Sequence, residues 1–344
     1  MRQSTTEGTS TPPTVDGAQP ARRTSAWTRA LACATALALL AAGINAGLLV
    51  RDQQRFPPPG ELVQLSDGRN LHLDVSGVPD GGPTVILDSG HGAFSPAMHH
   101  LQRALSDHVQ VVSYDRPGYG WSDPVTSDRD PLSVSDDLRE ALEQASVDGP
   151  FIVVGHSLGA LYARGFANSH PQEVVGLVLI DPAHEHQLDR LPDEVVDQMG
   201  PPPWLARPLL AAAHLGVLRL LKPGASTTAG LPPTAAAELQ AFTVTPRYLR
   251  TYLTEARDFD QLASSVRPLA SQHPTVVLNA PVAIPGLEQA RPAMDDMNRE
   301  LADHFPNVSL IELAGADHTS IITDRQHAEQ VADAVLELHQ SAAR

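Results

Sequence analysis

The chain has 344 residues, 42% hydrophobic and 19% charged, with a formal net charge of −16. That length holds one large catalytic domain with appendages, and the acidic balance argues against a nucleic-acid binder, which needs a basic face. A single cysteine, Cys33, excludes an intrachain disulfide or a thiolate zinc site. The 15 histidines show no H-E-x-x-H or comparable spacing, so neither a metal nor another cofactor is expected.

Residues 1–29 begin with a stretch rich in Ser, Thr, Pro and Gly, and the expectation is a disordered tail. From Ala30 to Val50, "ALACATALALLAAGINAGLLV" carries no charge, and Thr35 and Asn45 are its polar side chains. As a helix at ~1.5 Å per residue it is roughly 31 Å long, enough to cross a bilayer core. A buried core helix would show a polar stripe. A cleavable signal peptide stays open as the alternative, since Ala41 to Gly43 are small. Arg22, Arg23 and Arg29 precede the run and Arg51 and Arg55 follow it. This bias favours a cytoplasmic N-terminus: a single-pass anchor in the cell membrane with the catalytic domain outside, or a secreted domain if the segment is cleaved. Residues 51–60, with Pro57, Pro58 and Pro59, predict a stiff linker.

"ELVQLSDGRNLHLDVSG" then alternates about a polar turn, as a hairpin does. Six short apolar runs follow, at 84–87, 109–114, 151–154, 176–180, 275–278 and 308–313, separated by helical stretches such as "DDLREALEQA" and "HAEQVADAVLELHQ". Continuous apolarity predicts strands buried on both faces, hence a parallel sheet between helix layers. Ligands in such sheets bind at the C-terminal strand edge. There "FIVVGHSLGA" sets Ser157 between Gly155 and Gly159. The pattern G-x-S-x-G is read either as a plain strand-to-helix turn or as a nucleophile elbow that holds a serine oxygen up at the sheet edge. Residues 183–272 leave the strand pattern for amphipathic helices broken by Pro201 to Pro203 and by Pro232 and Pro233. Trp204, Phe242, Tyr248 and Tyr252 are candidates to line a pocket there or to pack its helices.

In this order, "LDSGHGAFS", "YDRPGYGWSD", "VVGHSLGALYARGFA" and "AGADHTSI" resemble the oxyanion loop, the turn after the fourth strand, the elbow and the late histidine loop of the α/β-hydrolase superfamily. Specifically, the chain resembles its bacterial members with an N-terminal membrane segment, over roughly residues 56–340. Ser89-Gly90 stands where the family usually has His-Gly. The resemblance implies an α/β fold: a mostly parallel central sheet flanked by helices, with a core of residues 61–182 and 273–344 and a helical cap of residues 183–272.

The same resemblance implies roles. Ser157 is the nucleophile, His318 after the last strand its base, and the backbone N–H groups of Leu158 and His91 the oxyanion hole, with Gly92 as alternative to His91. Asp115 and Arg116 brace their turn, and His156 packs beside the site. The triad's acid follows either the seventh strand, where no acid precedes Glu288, or the sixth, where Asp181 stands. The expectation is Asp181, with Asp296 or Glu288 as alternatives. The function implied is hydrolysis of a small lipophilic carboxylic ester through an acyl-enzyme. Acyl transfer, carbon–carbon hydrolysis or a binding protein on the same scaffold are the alternatives. A serine nucleophile argues against the epoxide hydrolases and dehalogenases of this fold, which use aspartate. Expected partners are the substrate and, through the N-terminal helix, a membrane, with no nucleic acid and no metal.

Overall fold

A computed structural model describes residues 26–125, 131–221, 225–266, 273–303, 305 and 307–343. Eight strands form one sheet in the order β1-β2-β4-β3-β5-β6-β7-β8. They are β1 (Glu61–Gln64), β2 (Asn70–Ser76), β3 (Thr84–Asp88), β4 (Val111–Tyr114), β5 (Phe151–His156), β6 (Val174–Ile180), β7 (Thr275–Asn279) and β8 (Val308–Glu312). The hairpin β1–β2 is antiparallel and β2 runs antiparallel to β4, after which every pairing is parallel.

Every residue of β3, β4, β5 and β7 is buried, because helices cover both faces. Side chains alternate between those faces. Val85, Leu87, Val154 and Ile180 pack with helices His99–Ser106 and Arg325–Ala342, through Leu101, Leu105, Val331 and Val335. Ile86, Val153 and Leu179 pack with helices Pro131–Gln144 and Gly159–Ser169, through Leu138, Leu142, Ala163 and Phe166. Edge strand β8 departs from the expectation of burial on both faces: Ser309, Leu310 and Glu312 are exposed, since among the described residues no strand lies beyond it to bring a covering layer. Between β6 and β7, in the segment expected to be the cap, the chain forms helices, among them Ala206–His214, Val217–Leu221, Pro233–Thr243, Pro246–Arg257 and Phe259–Ser265.

The N-terminal helix, Ala26–Arg55, is longer than the apolar run that predicts it. Residues 26–29 of the expected tail are helical, and residues 1–25 lie outside the described residues. Residues 51–55 of the expected linker are helical too, since Arg, Gln and Asp continue a formed helix at little cost until Pro57 stops it. Among the described residues this is the one helix long and apolar enough to cross a membrane.

Candidate active site

The turn around Ser157 needs its glycines for close approach and not for backbone twist. A Cβ on Gly155 would lie 2.4 Å from the Gly159 carbonyl oxygen, and one on Gly159 would lie 2.4 Å from that of Asp88. Larger residues would push the helix Gly159–Ser169 off β5 and off the end of β3. Ser157 itself takes the left-handed conformation, φ 52°, which is uncommon for a residue with a side chain. Its N–H donates to the Ile180 carbonyl at 3.0 Å, and its carbonyl accepts from Ala160 and Ala183 at 3.0 and 2.9 Å. The turn is thus held against β6 while the hydroxyl points out at the strand end.

His318 follows β8 in a loop built by Asp317, whose Oδ1 accepts from the N–H groups of Thr319 and Ser320 at 2.8 Å each. Asp317 also bridges to Val282, tying this loop to the segment after β7. His318 Nε2 lies 3.0 Å from Ser157 Oγ, and Nδ1 lies 2.6 Å from Asp181 Oδ2. Asp181 directly follows β6, again left-handed at φ 38°, and its side chain is fully buried. Such outliers concentrate at functional sites.

A family model described as "Alpha/beta hydrolase family" matches residues 85–334. The chain belongs to the alpha/beta hydrolase family. It is 32% identical over 150 residues to a Schizosaccharomyces pombe protein, covering 36% of this chain and 28% of that one. It is 31% identical over 130 residues to an AB hydrolase superfamily protein of Gibberella zeae, covering 36% of this chain and 40% of that one. The matched part therefore spans less than half the length of either relative. In fold it is similar to the esterase EaEST of Exiguobacterium antarcticum, with a TM-score of 0.57, 15% identity, and coverage of 82% of this chain and 99% of the esterase.

This family member surrounds Asp181 with donors. Oδ1 accepts from Arg291 Nη1 at 3.2 Å, Asn298 Nδ2 at 3.1 Å and the Ala280 N–H at 3.3 Å. Burial alone would raise the Asp181 pKa, but the hydrogen bond and charge of His318 and the charge of Arg291 hold it below the ordinary carboxylate value. Behind Arg291 stand Asp295 Oδ1 at 2.7 Å and Asn279 Oδ1 at 2.9 Å. The other acids weighed from the sequence face elsewhere. Asp296 pairs with Arg299, both exposed, and Glu288 accepts the Gly286 N–H on the surface. Sequence reasoning missed Arg291, Asn298 and Asn279. Their one signal was the polar Asn279 directly after the apolar run Val276 to Leu278.

His156 lies behind the site. Its Nε2 contacts the His318 carbonyl at 2.8 Å; a carbonyl only accepts, so Nε2 carries the proton. Burial, then the neighbouring His318 charge, push His156 down to about 3. In the unfolded chain it titrates near the ordinary ~6.5. Below that pH the unfolded state binds a proton that the folded state refuses, so stability falls as pH drops from 6.5 toward 3. At pH 5 this one group should remove about 2 kcal/mol. Melting temperatures of wild type and His156→Gln between pH 7 and 5 check this. A variant slope as steep as wild type would remove His156 as the cause.

The loop 89–92 crosses close beside the turn around Ser157: a Cβ on Gly90 would lie 3.2 Å from Ser157 Cβ. The cap helix Pro246–Arg257 grips this loop from above. Tyr248 Oη donates to the Gly92 carbonyl at 2.8 Å, and the His91 ring stacks on Tyr252 at 4.1 Å with Nε2 3.0 Å from the Tyr252 carbonyl. From beneath, Arg116 donates to the Gly90 carbonyl at 2.9 Å and to the Ser89 carbonyl, while pairing with Asp88 and with Glu255 of the cap helix. Tyr119 and Tyr162 add hydroxyl donors to Glu255 at 2.7 and 3.1 Å. Arg116 therefore braces the loop and the cap together. Asp115 is also structural, accepting the N–H groups of Ser95 and Trp121 at 2.9 Å.

Ser157 and His318 open into a cavity of about 630 Å³ between core and cap. Its lining is mainly apolar, with Val195, Met199, Leu209, Leu218, Leu239 and Ile322 among the contributors. Of the four aromatic candidates, Tyr248 and Tyr252 line it. Phe242 packs instead against Phe94 and Trp121, and Trp204 is exposed. Among the described residues no cluster of His, Cys, Asp or Glu could hold a metal ion.

Proposed function

We propose that the chain hydrolyses carboxylic esters of lipophilic acids or alcohols by a serine acyl-enzyme mechanism. The observation that carries this reading is the hydrogen-bonded line Asp181–His318–Ser157 at the floor of an apolar cavity. Ser157 Oγ attacks the ester carbonyl carbon as His318 Nε2 takes its proton, and Asp181 stabilises the imidazolium through Nδ1–H. The oxyanion that forms is held by the backbone N–H of Leu158, at the positive end of its helix, and that of His91 in the loop 89–92. The proton on Nε2 then passes to the departing alkoxide, leaving an acyl group on Ser157. Water, deprotonated by the same nitrogen, attacks that acyl group, and Nε2 returns the proton to Ser157 Oγ as the acyl–Oγ bond breaks and the acid leaves.

Within the same reading, helix Ala26–Arg55 is a single-pass anchor in the cell membrane that holds the catalytic domain outside the cytoplasm. An apolar cavity suits substrates whose acyl chain leaves water on binding. Covalent labelling of the full chain by a fluorophosphonate, and turnover of an ester series of graded chain length, test the proposal. Labelling at Ser157 with rates rising with chain length is expected. Failure to label and to hydrolyse any ester would sink it.

The grip of the cap on the loop yields a further expectation. Burial raises Tyr248 well above the ordinary phenol value, so it stays a donor to the Gly92 carbonyl. Tyr248→Phe removes one net hydrogen bond, on the order of 1 kcal/mol. If the loop must be held to present the His91 N–H, kcat should fall about fivefold with KM little changed. Steady-state kinetics on one ester decide it; an effect confined to KM would make Tyr248 a substrate contact only.

A further inference from the structure

Asn45 interrupts the apolar run of the N-terminal helix five residues before its last apolar position, Val50. That is roughly 7 Å short of the end of the run at ~1.5 Å per residue. A bare amide at that depth would be costly in hydrocarbon, but Asn45 is buried against the cap. Its Nδ2 donates to the carbonyls of Ala213 and His214 at 2.9 and 3.1 Å, and its Oδ1 accepts from Arg219 Nε at 2.9 Å. Gly216, left-handed at φ 76°, packs on the same side chain, where a Cβ would lie 3.2 Å from that of Asn45. Two turns further along the helix, Asp52 pairs with Arg219 Nη1 at 2.5 Å. Arg219 thus directs its charged end away from the apolar run.

These contacts pin helices Ala206–His214 and Val217–Leu221 beside a stretch of helix that is still apolar. Around the pinning point Leu220 is 84% exposed and Leu221 69%, with Leu215 and Val217 also exposed. Such a cluster on one short segment marks an interaction surface. The charge pattern has the matching sign. The chain carries 40 acidic residues, yet none falls between Gln198 and Ala237, while Arg207 and Lys222 do, besides the Arg219 already paired with Asp52. A segment without acids and with basic residues suits an anionic lipid surface. Leu209 and Leu218, on the inner side of the same two helices, line the cavity above Ser157.

We propose that the cap segment 206–221 lies in the lipid interface, with Leu215, Val217, Leu220 and Leu221 inserted, and that an ester dissolved in the bilayer passes between these helices to Ser157. This rests on the anchor and esterase readings above, and it narrows the substrate class to esters that partition into membranes. If helix 30–50 spans the hydrocarbon, the segment bonded to Asn45 stands at the acyl boundary, the depth at which amphipathic surface segments reside.

The experiment uses the full chain in vesicles of phosphatidylcholine and phosphatidylglycerol, on a Cys33→Ser background. An environment-sensitive fluorophore is placed by Leu220→Cys, by Leu37→Cys within the helix, or by Val78→Cys, an exposed site in the loop before β3, at the end of the sheet opposite Ser157. Quenching by doxyl-labelled lipid is expected at positions 37 and 220 and not at 78. Quenching at 37 alone overturns the proposal while leaving the anchor intact; no quenching at 37 removes the anchor and the proposal with it. In the second arm, Leu220→Glu with Leu221→Glu should slow hydrolysis of a vesicle-borne long-chain ester at least tenfold and leave a water-soluble short-chain aryl ester unaffected. Equal losses on both would overturn delivery from the bilayer. Turnover of neither ester by the unsubstituted protein would sink the esterase reading, and delivery with it.

Discussion

Ser157→Ala is expected to lower hydrolysis of a simple aryl ester by roughly 10⁴- to 10⁶-fold, with the fold unchanged. The variant keeps the cavity, the loop 89–92 and the helix Gly159–Ser169, so positioning and oxyanion stabilisation survive. What it loses is the covalent route, because no other hydroxyl stands 3.0 Å from His318 Nε2 among the described residues. The stability side of the prediction is equally definite. Ser157 holds φ 52° through backbone bonds to Ile180, Ala160 and Ala183 that do not use its side chain. Alanine bears the same left-handed strain as serine, so the melting temperature should shift by no more than the equivalent of about 1 kcal/mol. Purified variant and wild type are compared in the same assay, with fluorophosphonate labelling as a second readout. A variant retaining more than about 1% of activity would remove Ser157 from the mechanism.

Asp181→Asn should cost about four orders of magnitude in kcat, as loss of the orienting carboxylate favours the wrong tautomer of the base. With Asp181 the contact at 2.6 Å puts the proton on His318 Nδ1 and leaves Nε2 free to accept from Ser157. An asparagine at that place can present its NH₂ to Nδ1, which would force the proton onto Nε2, where it faces the serine. The change also takes a buried anion from beside Arg291. Asp295 at 2.7 Å and Asn279 at 2.9 Å remain to that guanidinium, so the loss should be nearer about 1–3 kcal/mol than the larger cost of an orphaned buried charge. Thermal unfolding separates the two effects. Asp296→Asn and Glu288→Gln serve as comparisons, since both carboxylates are exposed and engaged elsewhere. Each should keep near-normal turnover. An active Asp181→Asn beside a dead Asp296→Asn or Glu288→Gln would move the acid to the segment after β7.

Much of the fold was legible because burial leaves a one-dimensional trace. Runs such as "TVIL", "FIVV" and "TVVL" must be apolar on both faces when helices lie above and below, and no turn or amphipathic helix produces that pattern. Edge strand β8 was read as buried because its run looks the same until one knows that no further strand follows it. The tight turn around Ser157 was legible for a different reason. Gly155 and Gly159 record close approaches of backbone to backbone, and such approaches leave glycine at fixed spacing around whatever residue stands between.

Residues far apart in sequence whose partnership depends on the sheet left no such trace. Asp181, Glu288 and Asp296 are alike as letters. Only the parallel pairing of β6 with β5 and β7 brings the end of β6 beside the loop after β8, and so sets Asp181 against His318. Arg291, Asn298 and Asn279 were invisible for the same reason, being polar residues whose partners are assembled by packing. So were the ties of Arg116 and Glu255 across 139 positions and of Asn45 to the cap across 168. By itself the sequence determined the layers, the family motifs and an apolar N-terminal helix, since each follows from local periodicity or local sterics. Which side chains meet, which carboxylate faces the histidine, and which apolar face the cap turns outward were decided by the tertiary structure, because a hydrogen bond depends on distances of about 3 Å that no local pattern encodes.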